Sequence, residues 1–159
     1  MISRYDNLQQ IRWVPEKNYH ITLAFLGDVE YVLISYLKLE LEKILSYIKS
    51  VPVRFLEITP FPFSGTQKIV AAMLEQSDEL MKLNHNTVKC IRAFGISHER
   101  KRFLPHVTLG RPKFRSRKSL TFKPQQIFLE GVFEKVAIFQ SDPTPKGAVY
   151  TSRGEISLV

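Results

Sequence analysis

Cysteine is almost missing from this chain: Cys90 is the only one in 159 residues. No intramolecular disulfide can form and no thiolate metal cluster can be built. A reduced thiol in the core is expected. Long hydrophobic runs are missing too, since no stretch approaches the roughly 20 apolar residues that a membrane helix needs. The N-terminal "MISRYDNLQQ" also has no apolar core of the kind a signal peptide carries. These two absences lead to the expectation of a cytoplasmic protein with no membrane partner. Acidic residues, finally, are missing from Arg100 to Lys118, a stretch that holds eight basic ones: Arg100, Lys101, Arg102, Arg111, Lys113, Arg115, Arg117 and Lys118. Such a field concentrates polyanions such as RNA. It is equally what a solvated basic loop looks like, and charge alone does not choose between the two.

What is present is a globular mixture. Hydrophobic residues make up 44% and charged residues 24%, with 23 Lys and Arg against 15 Asp and Glu for a net charge of +8. A chain of this length suits one domain over residues 1–159, with a core of its own or two small lobes sharing one. Tyr19 to Phe25 reads as a strand closed by Gly27, with Asp28 as a helix N-cap. Leu33, Leu37, Leu41, Ile44, Leu45 and Ile48 then form a helical apolar stripe. "VPVRFLEI" and "KIVAAMLE" read as strands joined by the proline-rich "TPFPFSGTQ". A second helix is predicted from Asp78 to about Ala93, with Asp78 and Glu79 in the first turn complementing its dipole and Leu80, Leu83, Thr87, Val88 and Ile91 buried. The strand carrying His106, the basic loop, and the strand-like "QIFLEGV", "KVAIFQS" and "AVYTSRGEISLV" complete the chain. Strands grouped between helices without strict alternation indicate an α+β fold with antiparallel sheets.

One pattern occurs twice. "NYHITLAF" at residues 18–25 and "FLPHVTLG" at residues 103–110 both contain His-[Ile/Val]-Thr-Leu. Residues i and i+2 of a strand point to the same face, so His20 projects with Thr22 and His106 with Thr108. If the two segments face one another, four polar groups converge. Two imidazoles suit phosphodiester chemistry, because a group that titrates near about pH 6.5 can serve neutral as a base or charged as an acid. Each such proton transfer is typically worth about 10²–10⁴ in rate. Threonine hydroxyls can donate to non-bridging phosphate oxygens, where a lost donor costs about 10²–10³. A single His-x-Thr is more often a histidine and a threonine tolerated in a strand; two copies weaken that reading. A metal site is the third reading, and a poor one, since threonine is a weak zinc ligand and no cysteine or carboxylate sits at ligand spacing. Arg111, three residues beyond Thr108, can clamp a phosphate bidentately or be one more charge of the basic loop. His85 and His98 have no repeated context and read as surface residues.

With "RWVPEKNYHITLAFLGDV" and "FLPHVTLGR" together, the chain resembles the 2H phosphoesterase superfamily, and within it the RNA 2',3'-cyclic phosphodiesterases of the LigT or ThpR type, also called 2'-5' RNA ligases. The likeness spans about residue 11 to the end, more weakly through "FPFSGTQKIVAAML" and "VAIFQSDPTPKGAVYTSRGEISL". It implies a two-lobed α+β fold, antiparallel sheets flanked by helices around a central cleft with pseudo-twofold symmetry, one motif per lobe, and no metal or other cofactor. It implies His20 and His106 as the acid and base, Thr22 and Thr108 as phosphate ligands, and RNA or a nucleotide with a 2',3'-cyclic phosphate as substrate. His106 is assigned to activate water and His20 to protonate the departing 3'-oxygen. A non-catalytic RNA or nucleotide-binding module, or another 2H activity such as cleavage of 2'-5' oligonucleotides, are the alternatives. The chain departs from the family in its first residues: members begin with a strand of the type "FxAIxLP" and a helix, whereas only "MISRYDNLQQI" precedes Arg12. Either a dimer through that incomplete sheet edge or a monomer with loosened packing around the His20 strand is therefore expected.

Overall fold

The structure is a computed structural model that describes residues 10–63, 69–97, 102–113, 120, 122–145 and 147–159. The chain forms two compact units, the first made of Met1–Thr22, Arg54–Glu75 and Leu104–Glu130, the second of Leu23–Val53, Gln76–Phe103 and Gly131–Val159.

The first unit is built on a sheet. Its strands are β1 (Ile11–Trp13), β2 (Val51–Phe61), β3 (Ile69–Leu74), β4 (His106–Pro112) and β5 (Gln125–Phe133), in the order β1-β4-β3-β2-β5 among the described residues. β2 and β5 each run on into the second unit by three residues. The pairs β1/β4, β3/β4 and β2/β3 are antiparallel. β3 is central and reads Ile-Val-Ala-Ala-Met-Leu, buried at every position. A strand covered on both faces needs such an unbroken apolar run, because no position along it faces water. Ile69, Ala71 and Met73 on one face of β3 form a core cluster, against which Phe61 and Leu104 pack.

The second unit contains both helices, α1 (Tyr31–Leu45) and α2 (Asp78–Ala93), and the hairpin of β6 (Lys135–Thr144) with β7 (Gly147–Ser157). α1 buries Leu37, Leu41 and Leu45, one residue per turn, and packs on α2 and β7. Its approach to β7 is close: a Cβ on Gly154 would lie 2.8 Å from Lys38 Cδ. α2 starts where its acidic first turn predicts, with Ser77 as N-cap accepting from the Leu80 N–H at 3.3 Å. It ends where Gly95 adopts a positive φ of 69°, a conformation glycine reaches without a Cβ penalty. Its buried face is Leu80, Leu83, Thr87, Cys90 and Ile91, whereas Val88, expected there, is only half-buried; Thr87 is satisfied by donating to the Leu83 carbonyl at 2.9 Å.

Two local expectations are corrected. Asp28 does not cap α1; Glu30 holds that place, with extended φ and ψ and no side-chain bond, and the helix closes at Leu45, before Ile48. Tyr19 to Phe25 is not a regular strand, and Ile21 alone forms a bridge there. The Leu23 carbonyl, which a ladder would use, instead accepts from the Asn84 side chain at 2.8 Å.

Candidate functional site

The expectation of one motif in each lobe is not met: both His-x-Thr motifs belong to the first unit, and the sheet brings them side by side. Ile21 bridges Val107 in antiparallel sense. One residue either side of that bridge, the register sets His20 across from Thr108 and Thr22 across from His106. Val107 is buried and points with Ile21 to the opposite face, so the two histidines and two threonines share one face. All four are half-buried, shielded by their neighbours yet within reach of solvent.

Each imidazole is held in the same way. His20 Nδ1 lies 2.7 Å from the Asn18 carbonyl, and His106 Nδ1 lies 2.7 Å from the Leu104 carbonyl. In both cases the partner is the backbone oxygen two residues earlier. A carbonyl only accepts, so each Nδ1 carries hydrogen, and Nε2 is the nitrogen that gains or loses a proton. Local structure aims each carbonyl. A turn of 3-10 helix at Glu16–Asn18, closed by the Asn18 N–H to Pro15 and the Tyr19 N–H to Glu16, presents the first. Buried Pro105, whose carbonyl accepts from the Leu74 N–H at 3.0 Å, anchors the second. His106 also lies against Phe61, ring centroids 4.4 Å apart, and Phe63 meets Phe61 edge-on at 5.5 Å. "FPF" reads in sequence only as turn chemistry, so this aromatic support was not legible there.

Arg111 requires a further step. It lies an odd number of residues from Thr108, and plain alternation would put it on the opposite face. β4, however, carries a bulge. Ala71 pairs with Thr108 while the preceding Val70 pairs with Gly110, leaving Leu109 as the extra residue. The bulge restores Arg111 to the face of His106 and Thr108. Across the ladder its partner is Arg12, a residue that the sequence reading did not single out; nothing in a three-residue strand announces its register. His85 is exposed on α2, as expected, and His98 lies outside the described residues, as do Arg115, Arg117 and Lys118. Among the described residues, no group of three His, Cys, Asp or Glu side chains is placed to hold a metal ion, and no helix is long and apolar enough to cross a membrane.

This face gathers two imidazoles, each held through Nδ1 by a backbone carbonyl, and two threonines. Residues 1–70, which include the first motif, match the model of the family described as LigT like Phosphoesterase. An RNA 2',3'-cyclic phosphodiesterase of Aquifex aeolicus is 30% identical over 156 residues, covering 92% of this chain and 81% of that protein. One of Thermotoga maritima is 29% identical over 147 residues, covering 87% of this chain and 74% of that protein. A crystal structure from Thermus thermophilus superposes with a TM-score of 0.78 at 25% identity, over 98% of this chain and 86% of that one. The E. coli LigT structure complexed with 3'-AMP shares the fold, with a TM-score of 0.73 at 20% identity over 98% of this chain and 90% of that one. The chain belongs to the RNA 2',3'-cyclic phosphodiesterase family of LigT-like 2H phosphoesterases.

Proposed function

We propose that the chain hydrolyses the 2',3'-cyclic phosphate of an RNA end or nucleotide to a 2'-phosphate, in the cytoplasm. The observation that carries this reading is the matched pair of histidines, each with Nδ1 bound to a backbone carbonyl and Nε2 as the nitrogen for proton exchange. In the reaction, His106 Nε2 takes a proton from water as the water oxygen bonds to phosphorus. The bond from phosphorus to the 3'-oxygen breaks, and His20 Nε2 gives that oxygen its proton. The products are a 2'-phosphate and a free 3'-hydroxyl, with the two histidines left in exchanged protonation states that solvent resets. Thr22 and Thr108 donate to the non-bridging oxygens, where charge builds in the transition state, and Arg111 neutralises charge from further along β4. With the 5'-hydroxyl of a second RNA end in place of water as the attacking group, the same residues support 2'-5' joining.

Substitution tests the roles. His20→Ala and His106→Ala should each lower turnover of a 2',3'-cyclic nucleotide by at least about 10². The double variant should be little worse than the poorer single one, since acid and base act in one step. Wild-type rates in both single variants would overturn the reading. β1, a three-residue edge strand, also supports pairing with a second copy of the chain; a monomeric mass in solution would overturn that arrangement.

A further inference from the structure

The two motifs reach the same face by different means. Thr108 lies inside β4, with Ala71 opposite it in the ladder and Ile21 bridged to the preceding Val107. Thr22 has no such strand around it. Ile21 forms an isolated bridge, and residues 22–30 are neither helix nor strand before α1 begins. One residue beyond Thr22, the Leu23 carbonyl accepts from Asn84 Nδ2 at 2.8 Å. A carbonyl only accepts, so the amide nitrogen is the Asn84 atom that faces it. Both partners belong to the second unit, and Thr22 is reached from there through the single peptide link to Leu23.

Asn84 stands on a fixed support. It follows buried Leu83 on α2 and lies one turn beyond buried Leu80, so its amide leaves the helix at the margin of the packed face. Asparagine is among the weaker residues for a helix interior, so helix formation does not account for it; the bond to Leu23 does. The consequence falls on Thr22. Its chain neighbours are both tied down, Ile21 by the bridge and Leu23 by Asn84. A β-branched side chain on a backbone set from both sides has few χ1 choices, and the hydroxyl therefore has a defined direction. We propose that Asn84 is a positioning residue for the reaction: it holds Leu23 so that the Thr22 hydroxyl meets a non-bridging oxygen of the cyclic phosphate. This inference rests on the cyclic-phosphate reading given above. Thr108 needs no such brace, because its own ladder supplies one. A donor to these oxygens strengthens as charge builds in the transition state, so a loosened Thr22 costs rate more than substrate binding.

The test is a pair of double-mutant cycles on a nucleoside 2',3'-cyclic phosphate. Asn84→Ala is expected to lower kcat about tenfold with KM changed little. In a Thr22→Val background the same substitution should cost almost nothing further, whereas in a Thr108→Val background the full loss should reappear. A merely structural role would lower the melting temperature without distinguishing the two threonines. Equal losses in the two backgrounds, or a wild-type kcat in Asn84→Ala, overturn the proposal. Should Asn84→Ala fail to fold, Asn84→Asp, which keeps the shape and has no N–H to give, carries the same two cycles under the same criteria. If wild type turns over no cyclic nucleotide, the reaction assigned above fails, and the cycles are read on affinity for a nucleoside 2'-phosphate instead. Weakening by Asn84→Ala that disappears in Thr22→Val and persists in Thr108→Val supports the brace; equal weakening in both, or none, overturns it.

Discussion

A histidine is useful for proton transfer only if one particular nitrogen faces the substrate, and here the backbone makes that choice twice. The i−2 carbonyl holds each ring by Nδ1, so no third side chain is needed to fix the tautomer. Thr22 and Thr108 follow from the same two-residue spacing. Cys90 shows the opposite fate of a reactive side chain. It is buried on the inner face of α2, and burial first, then the nearby Glu40 carboxylate, pushes its thiol above the ordinary range. A raised thiol stays protonated in the folded chain while the unfolded chain ionises near about pH 8.5. Its contribution to stability is therefore complete below that pH and lost as pH rises above it. Cys90→Ala should flatten the alkaline fall in melting temperature relative to wild type, and native Cys90 should resist alkylation at pH 7. Rapid labelling under native conditions would contradict this account of the thiol.

At the scale of elements, β4 organises the site. One edge receives β1 and then, after the 3-10 turn, the Ile21 bridge; the other receives β3. The bulge at Leu109 returns Arg111 to the face of His106 and Thr108. Gly110 next to it permits the close seating of Ile11 and Trp13. Gly110→Ala should force those side chains apart at a cost of about 1–3 kcal/mol, visible as a lower midpoint in urea; an unchanged midpoint would show that β1 moves aside freely. How much of this was legible depends on the signal each element leaves. α2 was readable because an apolar period and an acidic first turn agree on a helix from Asp78 to about Ala93. β3 was readable from its apolar run, and the motif pair from its repetition. Tyr19 to Phe25 misled, since its composition is that of a strand while Asn84, 61 places away in sequence, takes the Leu23 carbonyl. β1, the bulge and the Arg12 rung were illegible for a related reason: register is a relation between segments, and no single segment encodes it.

For the whole molecule, the net charge of +8 predicts attraction to RNA that salt weakens. The basic residues Arg115, Arg117 and Lys118 should contribute to it without acting on the reacting phosphate. Reversing their charge should weaken RNA binding and flatten its dependence on salt, because fewer counterions are released; an unchanged salt slope would remove them from the RNA surface. The relation to the Aquifex aeolicus phosphodiesterase runs over 92% of this chain and 81% of that protein. The central claim is that two histidines, without a metal, open the cyclic phosphate. The most direct measurement is turnover of a 2',3'-cyclic nucleotide by the intact chain in excess EDTA, with the product resolved as 2'- or 3'-phosphate. The expected result is undiminished turnover yielding the 2'-phosphate alone. Activity that is lost in EDTA and restored by zinc or manganese would contradict the account, because a metal and not His106 would then be activating the water.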